Sequence, residues 1–97
     1  MREVVYHPKV PAEVRQILEY YGEISPKLAD EFWDEFNGAI EHARSFPKQH
    51  HFDQSGRRRS NLKKFPYHFL FRILDGHIRI TAVRHHGRNP GYGARRQ

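Results

Sequence analysis

The chain has 97 residues and no cysteine, so it is long enough for one domain over residues 1–97 and cannot form disulfide bonds or thiolate metal sites. Residues 1–47 carry five Lys and Arg against nine Asp and Glu, whereas residues 48–97 carry twelve against two. The resulting net charges of −4 and +10 predict that the second half contacts a polyanion, either a nucleic acid or an acidic protein segment.

Neither secretion nor membrane insertion is indicated. No apolar run approaches bilayer-spanning length, and the N-terminus lacks the apolar core of a signal peptide. Histidines occur in two adjacent pairs, at residues 50–51 and 85–86, but neighbouring residues on a strand point to opposite faces. We therefore expect a cytoplasmic protein without a metal site, a cofactor or a membrane partner.

The first half of the chain predicts one strand followed by two helices. Residues 3–7 form a short strand. The first helix begins near Pro11 and ends before Gly22, with apolar residues at helical spacing between them. Ser25, followed by a proline, suits the start of the second helix, which ends at Phe46.

The second half predicts a loop and then a β-hairpin. Residues 48–60 are polar and contain a short strand that begins near Arg57. Residues 67–74 and 77–85 alternate between apolar and polar side chains, and the Asp-Gly pair between them is typical of a two-residue hairpin turn.

The turn also predicts the register of the hairpin. It pairs Phe69 with Ala82 on the core face, and it places His68 and His85 as diagonal neighbours on the exposed face. The predicted fold class is α+β in the order β-α-α-β-β-β, with two N-terminal helices packed on one face of a small antiparallel sheet.

Several short stretches have the order and spacing of a known family. They are Tyr6-His7-Pro8, Tyr20-Tyr21, Phe46-Pro47, Leu62-Lys63-Lys64-Phe65-Pro66-Tyr67 and His85-His86-Gly87-Arg88-Asn89-Pro90-Gly91-Tyr92. Over nearly its whole length the chain resembles the RelE/ParE toxin superfamily of bacterial type II toxin–antitoxin modules, and most of all the branch labelled plasmid stabilisation proteins.

The resemblance implies a RelE/ParE-like fold and a growth-arresting toxin that is held inactive by an antitoxin from the same operon. RelE-like members cleave mRNA in the ribosomal A site, whereas ParE-like members bind DNA gyrase and are not known as nucleases. We favour ribosome-dependent mRNA cleavage by a metal-independent endoribonuclease. A non-catalytic gyrase inhibitor and a degenerate member that only binds antitoxin are the alternatives.

Metal-independent RNA cleavage requires a base, an acid and cations that stabilise the charge on phosphorus. The positions that match the nuclease members are Lys63 or Lys64, His68, Arg88 and Tyr92. We assign Lys64 to the catalytic set, and the hairpin register adds His85. His68 stands where an arginine is usual in RelE-like members. Its imidazole titrates near neutral pH and could therefore serve as the base.

The remaining basic residues are expected to bind nucleic acid or antitoxin. Arg72 lies directly opposite Arg79 in the predicted hairpin, and two like charges in that position are unfavourable unless an anion lies between them. The full set of expected binding residues is Arg57, Arg58, Arg59, Lys63, Arg72, Arg79 and Arg84.

Overall fold

Four strands and two helices follow the predicted order in the structure, a computed structural model that describes residues 2–97. The elements are β1 (Glu3–Tyr6), α1 (Val10–Ile24), α2 (Pro26–Ser45), a 3-10 turn (Pro47–Gln49), β2 (Arg58–Asn61), β3 (Tyr67–Leu74) and β4 (His77–His85). The two hairpin strands have the predicted bounds, because both the alternation and the turn are local signals.

The sheet has the strand order β1-β4-β3-β2. The α+β class and the element order are confirmed. The sheet is mixed, however, whereas an antiparallel sheet was predicted: β1 runs parallel to β4, and the other two pairings are antiparallel. Both helices separate β1 from β2 in the chain, and β1 pairs with the last strand, β4.

A single residue separates the two helices. The main-chain N–H of Ser25 donates to the carbonyl of Tyr21 and closes α1, and Pro26 then opens α2. Gly22 lies inside α1 rather than beyond its end. The short connection makes the helices antiparallel neighbours on one face of the sheet, which is called the helix face below.

The core lies between the helix face and the two helices. Phe32, Phe69 and Phe71 are fully buried, and the ring of Phe36 lies 6.0 Å from that of Phe32 and 5.9 Å from that of Phe69. Buried aromatic rings remove a large apolar area from water with few residues, which suits the core of a short chain. The other buried core residues are Val10, Val14, Ile17, Ile40, Ala43, Leu62, Phe65, Ile78, Ile80 and Val83.

A β-bulge interrupts the hairpin halfway along. The predicted register holds as far as Phe71 opposite Ile80, but Leu70 then pairs with Ala82, so Thr81 is an extra residue in β4. The pairing predicted between Phe69 and Ala82 is therefore wrong. An extra residue reverses the face of every side chain that follows it.

Glu13 of α1 accepts a main-chain N–H of β4 beyond the end of β1. The β1 pairing ends at Ile80, and beyond it Glu13 Oε1 accepts the main-chain N–H of Val83 at 3.0 Å. The carboxylate is buried, with 8% of the residue exposed. Its Oε2 accepts the hydroxyl of Tyr92 at 2.5 Å and Nη1 of Arg96 at 2.8 Å.

The C-terminal segment, residues 89–97, crosses the sheet on the side away from the helices, called the tail face below. Leu70 and Ala82 point to this side and are nevertheless fully buried. Gly93 allows the close approach: its φ is +69°, and a Cβ there would lie 2.7 Å from the Cβ of Ala82. A residue with a side chain would be strained at this position.

Replacing Glu13 is expected to destabilise the fold. Glu13→Ala leaves the N–H of Val83 and the guanidinium of Arg96 without their buried acceptor, which should cost about 3 kcal/mol. The measurement is the free energy of unfolding in urea. Glu19→Gln, an exposed change on the same helix, is the control and should alter that free energy by less than about 0.5 kcal/mol. Equal effects of the two changes would contradict this role for Glu13.

Candidate functional site

A cleft of 270 Å³ opens between α1, the end of β4 and the C-terminal segment. It contains three residues of the predicted catalytic set, His85, Arg88 and Tyr92. The complete lining is Glu13, Gln16, Ile17, Tyr20, Tyr67, Val83, Arg84, His85, Arg88 and Tyr92. The cleft thus brings together three of the five predicted catalytic residues, and α1 contributes residues that the motif did not include.

Tyr92 is held in the cleft by three neighbours. Its hydroxyl donates to Glu13, and the guanidinium carbons of Arg88 and Arg96 lie 3.9 and 4.9 Å from the centre of its ring. The hydroxyl proton is thus engaged within the protein. The two cations interact with the electron-rich face of the ring and fix its orientation.

His85 lies at the rim of the same cleft, on the helix face. Its ring is edge-on to that of Tyr67, with the centroids 5.1 Å apart. The Nδ1 atom accepts the main-chain N–H of Gly87 at 2.8 Å, so Nε2 is the nitrogen left for a ligand. The side chain is exposed and can reach a molecule in the cleft.

His68 does not lie beside His85, which corrects the predicted pair. The bulge places His68 opposite Arg84, so the two histidines point to opposite faces of the sheet. Only 2% of His68 is exposed. Its Nε2 accepts Nε of Arg84 at 2.8 Å, and its Nδ1 lies 2.9 Å from Nδ1 of the stacked His86 ring.

The hydrogen bonds define the tautomer of His68. Since Nε2 accepts a hydrogen bond from Arg84, Nδ1 must carry the ring proton and donate a hydrogen bond to His86. Burial lowers the pKa of His68 to about 3, and the positive charges of Arg59 and Arg84 act in the same direction. The ring is therefore neutral at physiological pH, and both of its nitrogens are used inside the protein.

Arg84 is an internal residue rather than an exposed binding residue. Its guanidinium is buried, and Nη1 donates to the carbonyls of Pro90 and Tyr92 at 2.8 and 2.7 Å. Nη2 lies 3.5 Å from the carboxylate of Asp53. Arg84 thus fixes the C-terminal segment to the tail face.

Asp53 compensates part of the charge on the tail face. Arg59 donates to its carboxylate at 3.1 Å, and the main-chain N–H of Ser55 donates at 3.0 Å. Burial alone would raise the pKa of Asp53, but the hydrogen bonds from Ser55 and Arg59 and the charge of Arg84 bring it below its ordinary value. Asp53 is therefore ionised at neutral pH.

Lys64 and Lys63 lie near α2, outside the cleft. The ammonium of Lys64 forms an ion pair with Glu31, and the main-chain N–H groups of both lysines donate to the carboxylate of Glu35. Neither lysine lines the cleft that holds His85, Arg88 and Tyr92.

The other predicted binding residues are divided between the two faces. Arg58 points to the helix face, and its guanidinium carbon lies 4.2 Å from the centre of the Phe52 ring. Arg72 lies directly opposite Arg79, as predicted. These two arginines and Arg57 all donate to residues 96–97 of the C-terminal segment.

Glu13 and Arg96 are not among the site residues predicted from the sequence. Glu13 lies between Val10, Val14 and Ile17, on the apolar stripe of α1, and an acidic residue in such a stripe needs a buried partner. The position of Glu13 on this stripe was the signal by which the sequence could have revealed it as a site residue. Nothing local indicates that Arg96, eighty-three positions away, supplies one of the partners.

A second cavity lies between α1 and α2 and is largely apolar. Its volume is 350 Å³, and Trp33 at its edge is 47% exposed. The centre of the indole lies 6.4 Å from that of the Phe36 ring. Exposed apolar grooves of this kind are typical of surfaces that contact other proteins.

Two further findings concern the part of the chain that the structure describes, residues 2–97. No helix there is long and apolar enough to cross a membrane. No three or more His, Asp or Glu side chains of these residues are grouped so that they could hold a metal ion.

Known proteins share both the fold and the sequence pattern of this chain. A solved structure from the chromosomal ParDE toxin–antitoxin system of P. aeruginosa superposes with a TM-score of 0.75 at 19% identity, covering 88% of this chain and 96% of the other. Residues 4–90 match the model of the ParE toxins of type II toxin–antitoxin systems, parDE, and the chain belongs to that family. No protein of curated function matches the sequence significantly.

The low pKa of His68 predicts a loss of stability in acid. The unfolded chain binds a proton at this histidine below pH 6.5, whereas the folded chain does not until about pH 3. The unfolding free energy should therefore fall by roughly 1 kcal/mol per pH unit between these values from this residue alone.

Urea unfolding at pH 7 and pH 5 measures this dependence. His68→Gln can still accept from Arg84 and donate to His86, so it should fold and lose part of the pH dependence. His51→Gln changes an exposed histidine; it serves as the control and should keep the pH dependence of the wild-type chain. An unchanged pH dependence in His68→Gln would show that His68 does not carry the linkage.

Proposed function

We propose that this protein is the toxin of a type II toxin–antitoxin module, bound and neutralised by an antitoxin, and that it arrests growth by binding DNA gyrase without catalysis. Its membership of the ParE family supports the toxin role. The observation that supports this mode of action is that the fold separates His68 and Lys64 from the other predicted acid–base residues.

The predicted catalytic residues are dispersed over three environments. His68 is buried on the tail face with both nitrogens engaged, and Lys64 is paired with Glu31 near α2. The hydroxyl of Tyr92 donates to Glu13. A general acid or base must reach the proton that it transfers, and only His85 and Arg88 of the five keep an exposed functional group beside the cleft.

Ribosome-dependent mRNA cleavage is the second candidate. The observation that favours it is that His85, Arg88 and Tyr92 line one cleft, where an imidazole and a guanidinium could flank a phosphodiester. Glu13 would then have to release the Tyr92 hydroxyl when RNA binds.

Induced expression in a bacterial host tests the two candidates in the same culture. The measurements are growth, plasmid supercoiling and the 5′ ends of transcripts. The gyrase proposal predicts altered supercoiling with intact messages. In-frame cleavage of translated messages with normal supercoiling would contradict it and establish the second candidate.

Matched variants sharpen the distinction. Under the gyrase proposal, His85→Ala and Tyr92→Phe keep toxicity within about threefold, because neither change alters a protein-binding surface on the helices. Trp33→Ala, which removes the exposed indole, should reduce toxicity. Loss of toxicity in His85→Ala with the fold intact, as judged by circular dichroism, would contradict the proposal.

A further inference from the structure

Two histidines from different elements meet at the end of α2. His42 lies in the last turn of the helix, and His50 follows the 3-10 turn. Nδ1 of His42 lies 3.1 Å from Nε2 of His50. The partner of His50 is therefore His42 and not its neighbour in the chain, His51. The opposite directions of adjacent side chains on a strand thus do not prevent this pair from sharing a ligand.

Packing against aromatic side chains holds both rings in place. The His42 ring lies 5.4 Å from that of Phe46, and the His50 ring lies edge-on to that of the fully buried Phe71, also at 5.4 Å. The carbonyl of His50 accepts a hydrogen bond from Nη1 of Arg58 at 2.9 Å, which fixes the main chain as well. A ligand of the two rings would therefore have to order little that the fold does not already order.

The separation of the two nitrogens suits two ligands of one metal ion. Zinc binds imidazole nitrogens at about 2.0 Å, and tetrahedral coordination separates two of them by about 3.3 Å. The observed 3.1 Å between His42 and His50 differs from that value by only about 0.2 Å, which small rotations of the rings can supply.

The protonation of the pair is compatible with metal binding. Burial lowers the pKa of His50, and His42, Arg58 and His51 act in the same direction, whereas a main-chain hydrogen bond at Arg59 opposes them. The ring is therefore neutral at physiological pH, as a metal ligand must be. A main-chain partner on the nitrogen that faces away from the ion is usual for metal-binding histidines. The exposed His42 can carry its own ring proton on Nε2, which leaves Nδ1 for the ion.

The pair borders a groove of 490 Å³ between α2 and β2. The groove has room for water molecules, which complete the coordination of an ion that the protein holds by few ligands. Its lining includes one acidic and one basic residue, Glu35 and Lys63. These opposite charges offset each other, so the groove does not add a net charge that would repel a cation.

We propose that His42 and His50 together bind one divalent transition-metal ion of the zinc type, with water in its remaining coordination positions. Imidazole nitrogen suits zinc, whereas magnesium prefers oxygen ligands. With two protein ligands the ion is exchangeable rather than permanently held. It joins the end of α2 to the segment that leads into β2, outside the cleft that holds His85 and Tyr92.

Calorimetric titration of Zn²⁺ into the full chain, after removal of metals with a chelator, tests the site. We expect one ion per chain. His42→Gln and His50→Gln should each weaken binding by more than about tenfold, and the double variant should bind about as weakly as either single variant, because one imidazole alone cannot chelate. His51→Gln removes an exposed histidine beside the pair and should change the affinity by less than about twofold. Mg²⁺, which has the same charge, should not bind.

Two further measurements report on the atoms and on the fold. In ¹H–¹⁵N spectra of the histidine rings, Zn²⁺ should shift the signals of His42 Nδ1 and His50 Nε2 and leave those of His68 unchanged. The melting temperature of the wild-type chain should rise with Zn²⁺, because an ion that binds the folded chain stabilises it, and that of His42→Gln should not.

Four results would overturn the proposal. They are the absence of Zn²⁺ binding to the wild-type chain, undiminished binding in His42→Gln and His50→Gln with the fold intact by circular dichroism, equal losses in His51→Gln, and dimerisation of the chain by Zn²⁺ in light scattering. The last would place the ion between two molecules. Because none of these measurements involves toxicity, their outcome is independent of the proposed function.

Discussion

The hydrogen bonds of the buried Glu13 carboxylate are the interactions on which both the cleft and the tail face depend. It joins α1 to the main chain of β4 at Val83 and to the C-terminal segment at Tyr92 and Arg96. A buried carboxylate is costly unless its acceptor sites are filled, and here three donors fill them. The same contacts place the C-terminal segment where Arg84 can bind its carbonyls, so the tail face and the cleft share one point of attachment.

The bulge at Thr81 decides which side chains can act together. One extra residue in β4 moves Arg84 to the tail face beside His68 and sends His85 to the helix face. The two histidines of the predicted pair therefore lie in different environments. His68 belongs to a buried chain of hydrogen bonds, while His85 lies at the rim of an open cleft. This separation, rather than any missing residue type, weakens the case for acid–base catalysis.

The charge of the second half is also less uniform than the sequence suggests. Arg59 and Arg84 are compensated by Asp53, and Arg96 is compensated by Glu13 from the acidic half. Asp53 is already counted in the net charge of +10, so of these pairings it is the one with Glu13 that neutralises part of this charge within the fold. Arg58, Arg72 and Arg88 of the second half form no ion pair with an Asp or Glu of residues 2–97.

Local patterns predicted the element order, the bounds of β3 and β4, the start of α2 after Ser25 and its end at Phe46, because alternation, turn residues and a proline in the first helical turn act over a few positions. The hairpin turn also placed Arg72 opposite Arg79. Local patterns did not predict the parallel pairing of β1, the bulge, the burial of His68 or the position of the C-terminal segment, which brings Tyr92 into the cleft with His85 and Arg88. Each of these depends on partners far apart in the chain, such as Glu13 with Val83 and Arg96, and no local pattern encodes such a contact.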